Sequence, residues 1–120
     1  MLLDAKLLAG LIPVTGQMIT HQTVRKEQGV KPHDLRPTID QYAPLYHIRK
    51  DTPPILCITG GWETDLLMRA EENLYFVSMM KLIGHENIKP VVIEGANHGQ
   101  CSKKSWPHLI EFIEKTLATK

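Results

Sequence analysis

The sequence predicts an α/β protein in which about three parallel strands are flanked by helices. Two observations carry this expectation. Residues 7–14, 55–59 and 91–93 are short and continuously apolar. That pattern suits strands buried on both faces of a parallel sheet, not the alternation of a strand with one wet face. Stretches of helical periodicity then follow the second and third of these runs.

The first run, 7–14, ends at Thr15-Gly16 and carries Pro13. A proline fits a buried strand only near its end. Residues 17–37 are polar and irregular, broken by Gly29, Pro32 and Pro37, and make a long connection for so short a chain. A short helix is expected from Pro37-Thr38-Ile39-Asp40 to Tyr42 or Ala43, where Pro44 would end it. Asp51-Thr52-Pro53-Pro54 reads as a turn into the second strand, which Gly60-Gly61 stops. From about Ala70 to Ile83 the residues Leu74, Val77, Met80 and Leu82 recur near helical spacing. Glu71 and Glu72 sit in that helix's first turn, where the dipole favours acids, and Gly84 is its stop. After the strand at 91–93, Leu109, Ile110, Ile113 and Leu117 share one face of a terminal helix already under way at Pro107.

The chain has 120 residues, the length of one domain. Its formal charge is +1, which gives no electrostatic footprint for nucleic acid or for an anionic membrane. No apolar run approaches the roughly 20 residues that span a bilayer. The apolar opening is interrupted by Asp4 and Lys6, a poor secretory signal. Cys57 and Cys101 form neither a metal spacing nor a disulfide framework. His21, His33, His47, His85 and His108 show no ligand spacing either, and Gly60-Gly61 fits no phosphate-loop pattern. No cofactor or metal is expected.

Ligands and catalytic groups of open α/β sheets gather beyond the carboxyl ends of the strands. The loop after the third strand, Glu94-Gly95-Ala96-Asn97-His98-Gly99-Gln100, contains His98 between Gly95 and Gly99, small neighbours that let an imidazole stand clear of the backbone. The loop after the second strand contains Glu63 and Asp65. An acid there could hold Nδ1–H of His98 and leave Nε2 to act as a general base. Asp65 is the preferred acid and Glu63 its alternative. Cys101, three residues past His98, matches no nucleophile–base arrangement.

Taken in order, Ile55-Leu56-Cys57-Ile58-Thr59-Gly60, the acid, a helix, Val91-Val92-Ile93-Glu94-Gly95, Asn97-His98-Gly99 and a last helix resemble the carboxyl-terminal part of an α/β-hydrolase. Within that fold they are most similar to the esterase/lipase branch related to carboxylesterases and feruloyl-esterase-like enzymes. Residues 8–17 resemble that family's sixth strand, and Tyr42-Ala43-Pro44-Leu45 the approach to its seventh. The resemblance covers essentially all of residues 1–120 and implies a partial domain. It also implies the chain order Ser, then Asp or Glu, then His, with His98 as base, Asp65 or Glu63 as its orienter, and a small-molecule ester as substrate of the complete enzyme. The family's serine stands in a Gly-x-Ser-x-Gly elbow, and Ser78, Ser102 and Ser105, the serines of this chain, lack that context. The chain alone is therefore expected to be inactive. A second reading, from a different class, is a non-catalytic binding or assembly module. It would self-associate through the open edge of the strand at 7–14.

Overall fold

The computed structural model describes residues 16–118. The expected strand at 7–14, and any pairing through it, lies outside them. Within the described residues the chain is a mixed α/β structure with a two-stranded parallel sheet, β1 (Ile55–Gly60) and β2 (Ile88–Ile93). Four α-helices accompany the sheet: α1 (Gln22–Glu27), α2 (Arg69–Leu82), α3 (His98–Lys104) and α4 (Trp106–Ala118). Two 3-10 turns, Pro32–Asp34 and Pro44–His47, stand before β1.

The continuous apolarity of β1 has a direct structural cause. All six of its residues are buried, and alternate ones enter different cores. Ile55 and Cys57 face α2 and pack with Phe76, Val77, Met80, Ile88 and Met18. Leu56 and Ile58 face the other way, toward Cys101 of α3, Phe112 of α4, Val91 and Ile93. Helices thus cover both faces of the sheet, which is why no polar residue interrupts positions 55–58. The β1–α2–β2 unit is the crossover that parallel pairing requires.

β2 begins three residues earlier than the apolar run 91–93 suggests and takes in Pro90. Ile55 N–H donates to the Asn87 carbonyl at 2.8 Å. Residues of that parity therefore turn their backbone groups toward β1, and Pro90, of the opposite parity, turns its ring nitrogen to the outer edge. A proline there breaks no ladder bond, and it blunts that edge against pairing with another strand.

α2 matches expectation closely, though Phe76 and Asn73 join its buried face while Leu82 lies exposed. Its end is a Schellman motif: Gly84 N–H donates to Lys81 C=O, and His85 N–H to Met80 C=O, both at 3.0 Å. Gly84 has φ +101°, a conformation that favours glycine.

Three expectations need correction. The helix expected over 37–43 does not form. Asp40 Oδ1 accepts from Tyr42 N–H at 3.0 Å and from the Thr20 hydroxyl at 2.7 Å, so it closes an Asx turn instead of capping a helix. Pro44 then opens a 3-10 turn at its first position. In the irregular stretch, α1 forms over six residues, with His21 Nδ1 accepting from Thr23 N–H as its cap. Finally, the apolar face expected of the terminal helix is only partly used. Phe112 turns toward the sheet, while Ile110, Ile113 and Leu117 remain exposed.

Candidate active site

The site is built where β1 and β2 release the chain on the same side of the sheet. β1 ends at Gly60, and the next residues turn back over the strand end. Gly61 N–H and the Thr64 hydroxyl both donate to the Ala96 carbonyl, at 3.0 and 2.7 Å, which ties the loop after β1 to the loop after β2. These ties need a close backbone approach. A Cβ on Gly60 would lie 2.4 Å from the Ala96 oxygen and 2.9 Å from Asp65 Oδ2.

Asp65 points inward from this turn, with its side chain only 1% exposed. Oδ2 accepts from Gly60 N–H at 2.7 Å, and Oδ1 accepts from Leu66 N–H at 2.6 Å. Burying a carboxylate is unfavourable unless its lone pairs are met, and the two backbone donors do part of that. His98 does the rest: its Nδ1 lies 2.9 Å from Oδ1 of Asp65. With backbone donors at both carboxylate oxygens, the contact is made by Nδ1–H donating to Asp65, which fixes the ring's tautomer and orientation. The imidazole itself is 44% exposed. The pair thus has a buried acid behind a solvent-reaching imidazole, and with Nδ1–H directed at Asp65, Nε2 is the ring nitrogen chemically able to accept a proton.

His98 is delivered to this position by a helix start. The loop expectation for residues 94–100 needs correction, because His98 is the first residue of α3. Asn97 is the N-cap: its side chain accepts from Gln100 N–H at 2.8 Å, while the Gln100 side chain accepts from Asn97 N–H at 3.1 Å. This reciprocal capping box fixes the backbone on either side of the imidazole. Its signature, Asn97-x-x-Gln100, is present in the sequence and was readable there.

Of the three candidate site residues, the structure brings Asp65 and His98 together and leaves Glu63 on an exposed turn. Cys101 is fully buried one turn along α3 and belongs to the core. Burial, and then the charge of Asp65, push its thiol up from the ordinary range, the wrong direction for a nucleophile. Cys57 is also a free thiol, on the opposite face of the sheet, pushed up to about 12 by burial. Gly60, Thr64 and Ala96 build the site without carrying chemistry. Only the glycine pair at the strand end hinted at them, since Thr64 and Ala96 act through contacts distant in sequence. Among the described residues no cluster of His, Cys, Asp and Glu could hold a metal ion, and no helix is long and apolar enough to cross a membrane. No protein-family model, curated protein or solved structure matched the chain.

Proposed function

We propose that the chain is the carboxyl-terminal part of a serine carboxylic-ester hydrolase of the esterase/lipase kind, with His98 as general base and Asp65 as its orienter. The observation that carries this reading is the 2.9 Å contact between Asp65 Oδ1 and His98 Nδ1, with the acid buried and the base half exposed beyond the ends of two parallel strands. In this mechanism Nε2 of His98 takes the proton of a serine hydroxyl as its oxygen attacks the ester carbonyl. Asp65 stabilises the resulting imidazolium. The same proton then goes to the departing alcohol, and a water activated in the same way releases the acid from the acyl-serine.

The serine comes from outside these 120 residues. Ser78 lies on α2, Ser102 on α3, and Ser105 is buried with its hydroxyl donating to the Ser102 carbonyl. None stands in an elbow sequence. Two surfaces support a larger catalytic unit. Trp62 and Leu66, both roughly half exposed on the turn that carries Asp65, offer apolar area for an acyl group. Ile110, Ile113 and Leu117 give α4 an exposed apolar stripe for the rest of the enzyme to cover.

The test is active-site labelling in the source cells. Native material captured with an antibody to this chain is treated with a fluorophosphonate probe and mapped by peptide mass spectrometry. The expected result is a labelled serine in a Gly-x-Ser-x-Gly peptide, on the same polypeptide or on one that co-purifies, with labelling lost in a His98→Ala strain. Captured material with no labelled serine would overturn the proposal.

A further inference from the structure

A second site lies at the other end of the sheet. A cavity of about 400 Å³ opens between the Pro44–His47 turn, the segment leading into β1 and the inner face of α2. This volume falls within the ~300–1,000 Å³ typical of small-molecule pockets. Ala43, Ile55, Phe76 and Met80 line it, and all four are buried. Ile55 opens β1 and Gly60 closes it, so at about 3.3 Å per residue the cavity is about 16 Å from the Asp65 end. The two sites are therefore separate.

The polar lining comes from Gln41, Tyr42, His47, Arg49 and Thr52 and contains no carboxylate. Arg49 Nε lies 3.2 Å from Asp51 Oδ1, but both side chains are well exposed, and such a pair is readily replaced by a competing carboxylate. Among the lining residues Arg49 is the one Lys, Arg, Asp or Glu. The Thr52 hydroxyl is buried and has no hydrogen-bond partner among the described residues. The wall is also held in place beforehand. His85 Nε2 lies 3.0 Å from the Thr52 carbonyl and 3.1 Å from that of Pro53, while Nδ1 accepts from Asn87 N–H at 3.3 Å. The accepting Nδ1 leaves Nε2 as the donor to both carbonyls.

We propose that this cavity binds a small organic acid with an apolar body. The body lies against Ile55, Phe76 and Met80, and the carboxylate pairs with the Arg49 guanidinium. The proposal is independent of the role of His98.

The test is an NMR titration of the whole chain, labelled at methionine and isoleucine methyls, with sodium octanoate. Saturable shifts are expected at Met80 and Ile55. Octanamide, of the same length but neutral, should bind about tenfold more weakly, and Arg49→Gln should weaken octanoate by about the same factor, as loss of a charge-assisted hydrogen bond predicts. His98→Ala should leave the affinity unchanged. Absence of saturable shifts at millimolar octanoate would overturn the proposal. So would equal binding of octanamide, full affinity in Arg49→Gln, or loss of binding in His98→Ala.

Discussion

The amide of Gly60 donates to Oδ2 of Asp65 at 2.7 Å, and a Cβ on residue 60 would come within 2.9 Å of that same oxygen. The missing side chain and the hydrogen bond are therefore one feature. Only glycine lets the strand end come close enough to hold the buried acid. Gly60→Ala would also press against the Ala96 carbonyl, which is backbone and cannot swing aside. Overpacking of this kind destabilises by about 1–3 kcal/mol. Thermal melting should show a drop of several degrees, and the NMR signature of the Asp65–His98 contact should be lost with it. A variant with wild-type melting and an intact contact would contradict this account.

The Asp65 contact sets the tautomer of His98. In the neutral ring, imidazole 15N shifts should show the proton on Nδ1 in the wild type. Asp65→Ala removes the acceptor and should abolish that signature, whereas Glu63→Gln should preserve it. The opposite pattern would transfer the orienting role to Glu63.

His85 is buried between the turn after α2 and the segment before β1, where it joins three backbone groups. His85→Ala leaves those groups without their partner. The expected loss is about 1–3 kcal/mol, measured by urea denaturation. An unchanged midpoint would show that water replaces the ring at no cost.

Both thiols should resist a disulfide reagent in the folded chain at pH 8 and react fully in denaturant, because the reactive form is the thiolate. Burial pushes Cys57 up to about 12, while an unfolded thiol ionises near ~8.5. Between those values the unfolded state has released a proton that the folded state keeps. The stabilising contribution of the protonated thiol is thus complete below about pH 8.5 and declines as pH rises toward 12. In Cys57→Ala the alkaline decline in stability should be shallower than in the wild type, as denaturation at successive pH values would reveal.

Several features of this chain were legible in sequence because a few neighbouring residues determine them. The apolar run 55–59 announced a strand covered on both faces, and Gly84 announced the end of α2, since only a residue free to take φ +101° closes that motif. His98 and an acid after the second strand were legible as a pair by their positions alone. Other features depended on contacts distant in sequence. Asp65 and Glu63 are two residues apart on one turn, and nothing local separates them. The choice was made by the Gly60 amide and by an imidazole 33 positions away. The same holds for α4. Its sequence offers both Phe112 and the stripe of Ile110, Ile113 and Leu117, and the sheet that receives the helix takes Phe112. Helical periodicity states which residues share a side, but the rotation of that side toward the core is fixed by the surface it meets. Strand burial, helix ends and capping follow from short-range sterics and backbone hydrogen bonds. The identity of the buried acid and the face of the last helix follow from long-range packing, which exists only once the strands have brought the two loops together.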